Sequence, residues 1–153
     1  MTEAWLAFFH ISAFLGWIVF ASSQAALCRG EWVNAAVVQR LARLDKILWV
    51  AAAAVFCSGL ARIFWGAKGA AWYWGNPLLH LKLTLLVVAV VLMIGPSRRI
   101  ARWQQALASS GQLPPASELA GVRRLIMIET HLVALIPLAA VFMARGFGTS
   151  MVQ

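Results

Sequence analysis

The sequence predicts an all-α integral membrane protein, a four-helix bundle with both termini on the outer side. Three observations lead there. Of 153 residues, 62% are hydrophobic and only 12% charged, against about 25% charged in an ordinary soluble domain. The apolar residues gather into four stretches long enough to cross ~30 Å of hydrocarbon at ~1.5 Å per residue. The cations, 13 Lys+Arg against 5 Asp+Glu, gather in the connections. This composition excludes a soluble enzyme, a disordered chain and a nucleic-acid-binding module, and the length suits one transmembrane domain over residues 1–153.

The first span, about 4–28, is free of charge. It reads as a mature helix rather than a cleaved signal, because Met-Thr-Glu lacks a basic n-region and the apolar run exceeds an h-region. Its small residues Ser12, Gly16 and Ser23 are expected to let a neighbouring helix approach. The second span, about 45–65, ends at an interface with Arg62 to Trp65. The third, about 77–95, opens on Asn76-Pro77, an N-cap followed by proline at the first helical position, and Gly95-Pro96 is expected to stop it. The stretch Arg98 to Leu107 continues as an amphipathic basic helix on the inner surface, until Ser109-Ser110-Gly111 and Pro114-Pro115 break it. The fourth span, about 124–144, carries Pro137 and ends before Gly146.

Cation placement gives the orientation. The first and third connections hold Arg29, Arg40, Arg43, Lys46, Arg98, Arg99, Arg102, Arg123 and Arg124, nine of the 13. The positive-inside rule makes these connections cytoplasmic. The +8 net charge is therefore mostly topology and lipid contact, with no nucleic-acid partner. Trp5, Trp65, Trp72, Trp74 and Trp103 fit an interfacial aromatic belt. Cys28 and Cys57 have no CxxC spacing and read as buried small residues.

Ionisable groups at membrane depth are costly enough to be candidate functional sites. They are His10, His80, Lys82, Glu129 and His131. Counted along the helices, His10 lies ~9 Å, His80 ~4–5 Å and Lys82 ~7–8 Å from the outer boundary, so these three can meet. Glu129 and His131, about 6 and 9 Å from the inner boundary, form a second polar site. An inward imidazole with a nitrogen ligand on a facing helix is how a bundle holds haem iron. On that reading His10 is one axial ligand of a haem b, with His80 or Lys82 opposite. The pair cannot both serve, being about 200° apart around the helix. Phe14 and Trp17 would line the ring, and Arg62 and Lys68 could pair with its propionates. The plainer readings are that His80 is an amphipathic interface residue and that Lys82, Arg62 and Lys68 snorkel to headgroups. No HExxH, Walker-type loop, GxGxxG or nucleophile elbow occurs.

His10 followed by Trp17, with Leu79-His80-Leu81-Lys82-Leu83 opening the third span, resembles the HemJ-type protoporphyrinogen oxidases. That resemblance implies a haem-b enzyme relying on His10 and Lys82, with Lys82 catalytic or holding a substrate carboxylate, and electrons passing to a quinone or respiratory partner. Across nearly its whole length the chain also resembles an uncharacterised family of four-span bacterial membrane proteins in the CopD-like set. The residues that carry this are Leu44-Asp45, Gly66-Ala67-Lys68-Gly69, Asn76-Pro77, and Glu129-Thr130-His131-Leu132 leading to Ala144-Arg145-Gly146. The implied location is a bacterial inner membrane. Ser22 to Ala26 stand where the HemJ pattern has an aromatic, Pro-Arg-containing segment, and the Glu-x-His pair has no counterpart there. Two other classes remain open: a copper or small-solute transport or accessory protein whose path is lined by His10, His80 and Lys82, and a structural subunit of a membrane complex. Besides the bilayer, partners could include a second copy in a homo-oligomer.

Overall fold

The computed structural model describes residues 2–66 and 68–148; Ala67, in the Gly66–Gly69 motif, and residues 149–153 lie outside them. The described chain is all-helical: α1 (Thr2–Leu27), a 3-10 turn (Gly30–Trp32), α2 (Ala35–Trp65), α3 (Ala70–Gly75), α4 (Pro77–Ser110) and α5 (Ala116–Ala144). Four helices are long and apolar enough to cross a membrane. α1 packs on α2 and α5, and α4 packs on α2 and α5, so α1 faces α4 across the diagonal of an antiparallel bundle.

Each long helix buries one stripe at spacings of three and four residues. The stripes are Phe14, Trp17, Ala21 and Gln24 on α1, continued by Cys28 just beyond its end; Leu41, Leu48, Ala52 and Val55 on α2; Ala89, Met93, Pro96, Ile100 and Trp103 on α4; and Leu119, Val122, Ile126, Glu129, Val133 and Ile136 on α5. Alternating three and four averages 3.5 residues, the repeat that keeps one seam facing its neighbours in a bundle. The opposite faces expose Leu15, Val19, Val50, Val87, Val91, Leu135 and Leu138. An apolar exterior along four helices, with backbone groups satisfied inside each helix, is what a bilayer requires.

The structure corrects several expectations. Gly95-Pro96 does not stop the third span, because Pro96 falls on the buried stripe between Met93 and Ile100. The packed seam carries α4 through the missing N–H to a left-handed Gly111, whose N–H donates to the Leu107 carbonyl. The basic segment Arg98 to Leu107 is thus the continuation of α4. α2 begins well before residue 45, at the cap where Asn34 Oδ1 accepts from the Val37 N–H at 3.0 Å. α5 likewise begins at Ala116 and continues through Pro137. Trp103 is buried and donates to Glu118 Oε2 at 2.8 Å instead of lying in an interfacial belt. Cys57 is exposed, whereas Cys28 is buried as expected. Ser12 and Ser23 are exposed, and a Cβ at Gly16 would meet nothing within 4 Å, so that small-residue stripe packs against no neighbouring helix within the chain.

The Asn76-Pro77 expectation matches in detail. Asn76 Oδ1 accepts from the Leu78 N–H at 2.9 Å, and its amide donates to the Phe147 carbonyl at 3.1 Å. One buried side chain therefore caps α4 and ties the chain after α5 to it.

Candidate functional site

The buried core is three apolar clusters separated by polar residues that lie on the same stripes. The central cluster contains Phe14, Trp17, Leu48, Val55, Met93 and Ile136. The cluster at the Arg-rich end contains Val38, Leu41, Ile100, Trp103, Leu119 and Ile126. A smaller one at the other end joins Ile63, Tyr73, Leu79 and Met143.

Between the central and smaller clusters lies the first polar layer. His10 of α1 reaches α2, where its Nδ1 is 2.8 Å from Ser58 Oγ. The Ser58 hydroxyl donates its own proton to a carbonyl of the preceding turn, Ala54 at 2.5 Å. Ser58 Oγ thus joins His10 Nδ1 to the backbone of the preceding turn, and the Val55 carbonyl is a further hydrogen-bond partner of the imidazole. Gly59 makes room for the ring: a Cβ there would stand 3.4 Å from His10 Cε1. The charges of Lys82 on α4 and Arg62 on α2 both act on the imidazole, and Arg62 also acts on Lys82. Three basic groups on three helices thus share one neighbourhood, and among the described residues no carboxylate pairs with them.

The sequence left open which of His80 and Lys82 faces His10. Lys82 is half-buried and belongs to this layer, whereas His80 is exposed and donates from Nε2 to the Trp74 carbonyl at 2.9 Å. His80 is thus turned away from a shared site with His10, for the helical-phase reason that made the two exclusive. Lys68 is also engaged elsewhere, its ammonium 4.0 Å from the centre of the Trp72 ring. Trp17 offers no free wall to a ring, since it is completely buried and its indole N–H donates to Glu129 Oε1 at 2.8 Å.

That hydrogen bond opens the second polar layer. Glu129 is 1% exposed. Nearby, Asp45 Oδ1 accepts from Ser97 Oγ at 2.7 Å, and Ser97 Oγ accepts from Trp49 Nε1 at 3.0 Å. Gln24, equally buried, leaves its amide nitrogen without a partner. His131 does not join Glu129: it is exposed and donates from Nδ1 to the Met127 carbonyl at 2.6 Å. Two residues along a helix is about 200°, so the Glu-x-His pair splits between core and exterior.

Sequence reasoning missed Ser58, Gly59, Asp45 and Ser97 as site residues. The available signal was heptad phase: Asp45 falls three residues before Leu48, and Ser58 three after Val55. Methionines do not converge, for Met93 and Met143 sit in different clusters and Met127 is exposed. Among the described residues no group of three or more His, Cys, Asp or Glu side chains could hold a metal ion.

Fold and site together define a four-helix membrane bundle with two polar layers in an otherwise apolar core. Residues 2–148 match the family described as predicted membrane protein (DUF2214), and the chain belongs to that family. No curated protein and no solved structure matches it.

Proposed function

We propose that the His10–Arg62–Lys82 layer is an intramembrane site for a haem b, which makes the protein a redox component of a bacterial inner membrane. The observation that carries this is the state of His10. Its Nδ1 is held by Ser58, and the half-buried ring lies beside two cations on other helices. A hydrogen bond from the remote nitrogen is the usual way a ligating imidazole is oriented. Iron bound there would supply one-electron chemistry.

The chain's own residues have distinct parts in this reading. His10 would hold the group through its imidazole, with Ser58 orienting the ring and Gly59 letting it lie against α2. Lys82 would supply a second nitrogen donor or hold a carboxylate, and Arg62 would neutralise an acidic side chain of the ring. The pattern of His10 in the first span and Lys82 in the third, which resembles HemJ, extends the reading to oxidation of a porphyrinogen, with a quinone or respiratory partner taking the electrons. The nine cations at the opposite end of the bundle support, by the positive-inside rule, an outer-face location for this layer.

The test is the visible spectrum of protein purified in mild detergent and incubated with hemin. A Soret band is expected, and it should be lost or displaced in His10→Ala but unchanged in His80→Ala. Absence of the band in the wild type refutes haem binding and favours a path for copper or another small solute, or a structural subunit.

A further inference from the structure

A second site lies at the Arg-rich end, away from the His10 layer. The turn after α1 and the first turns of α5 enclose a pocket of about 280 Å³ lined by Arg29, Gly30, Glu31, Ala116, Ala120 and Arg123. Its walls meet closely, since a Cβ on Gly30 would fall 2.8 Å from the Ala116 Cβ. We propose that this pocket binds a phosphate group.

Three observations converge on an anion. The Nε atoms of Arg29 and Arg123 are both shielded from water and have no acceptor. Guanidinium donors are rarely buried without one, and a phosphate oxygen is the acceptor that suits their planar geometry. Second, α5 starts into the same pocket with Pro115 at its N-cap, which supplies no side-chain acceptor. The first turn of the 29-residue helix carries Glu118 but no side-chain N-cap, and its first residue, Ala116, lines the wall with N–H groups available to an anion. Third, the Arg29 guanidinium carbon stands over the Trp32 ring, 4.9 Å from its centre. That cation–π contact holds the group beside the pocket.

Glu31 does not meet this need. It is exposed, and among the described residues no carboxylate forms an ion pair with either arginine. The other indentation at this end, along Gly95, Arg98 and Arg102, is built from α4 alone and shows no orphaned buried donor. The proposed pocket differs in drawing its two guanidinium groups from separate segments.

A phosphate can reach this place from a lipid headgroup at the membrane surface or from a free phosphate compound in the adjoining water. Both use the same donors, and the experiment separates them. Protein reconstituted in phosphatidylcholine nanodiscs is titrated with inorganic phosphate by calorimetry. In parallel, detergent-purified protein is mixed with phosphatidylglycerol and retained lipid is counted by native mass spectrometry. Saturable binding of inorganic phosphate in the nanodiscs indicates a free phosphate ligand. Retained phosphatidylglycerol that inorganic phosphate does not displace indicates a headgroup.

In either case Arg29→Gln and Arg123→Gln should each weaken binding about tenfold, as expected for loss of one charge-assisted contact. Ala120→Glu, which puts a carboxylate into the pocket from an exposed position, should abolish it. Arg102→Gln, on the exposed face of α4, should leave it unchanged. Helical circular dichroism and the melting temperature show that each variant is folded. The proposal is overturned if folded wild type binds neither probe, or if folded Ala120→Glu or the Arg29→Gln/Arg123→Gln double variant binds as well as wild type. Equal loss in Arg102→Gln also overturns it, because binding would then depend only on net charge.

Discussion

The two polar layers occupy equivalent stripe positions yet are built in opposite ways. The Glu129 layer is acidic and amide-rich, and its central carboxyl is fully enclosed with an indole donor. The His10 layer is basic and half-buried, with its imidazole held to α2 through Ser58. Removing a partner from an enclosed polar group exacts its full desolvation cost, whereas a half-exposed group retains other partners. The enclosed layer should therefore govern stability, and the half-open one should govern ligand binding.

The sharpest way to break this contrast is to truncate at the enclosed layer. Glu129→Ala removes a buried side chain, leaves a cavity and strands the Trp17 N–H, so it should cost about 3 kcal/mol. Thermal unfolding in detergent followed by tryptophan fluorescence would show it. Trp17→Phe keeps most of the packing but leaves Glu129 without its donor, for an expected loss of about 2 kcal/mol by the same measurement. If either variant melts with wild type, Glu129 is satisfied by something other than Trp17.

Asn76→Ala lies outside both layers and calibrates the comparison. It removes the cap of α4 and the tie to Phe147, and should cost about 1 kcal/mol. His10→Ala should cost no more than about 1 kcal/mol, since Ser58 keeps its own bond to Ala54, while its effect on hemin binding is large. A His10→Ala protein that unfolds as readily as Glu129→Ala would recast His10 as a structural residue. The smallest expected effect concerns the exterior: Cys57→Ala, at an exposed position on α2, should change stability by no more than about 0.5 kcal/mol in the same thermal unfolding measurement.

The pattern of apolar stretches made the four helices legible, along with the Asn76-Pro77 start and the end at Arg145-Gly146, because hydrocarbon thickness and capping chemistry are local constraints. It misjudged the lengths of α2, α4 and α5, since their polar ends extend past the apolar runs and are held by packing at the Arg-rich end. Gly95-Pro96 is the clearest instance. As a local signal it stops a helix, but Met93, Pro96, Ile100 and Trp103 lie on one seam, and burial of that seam outweighs one missing hydrogen bond.

The site was legible in part. Depth alone grouped His10, His80 and Lys82 and joined Glu129 to His131. Helical phase separates them, for His10 lies four residues before Phe14 and Glu129 four before Val133, whereas His80 and His131 fall off the stripes. The sequence by itself determined that the chain lies in a membrane, how many times it can cross, and that a few polar residues were kept there at a cost. Only the tertiary structure decided which of them meet. Packing selects one face of each helix, and with that choice it paired Trp17 with Glu129, His10 with Ser58, and Arg29 with Arg123 across segments far apart in the chain.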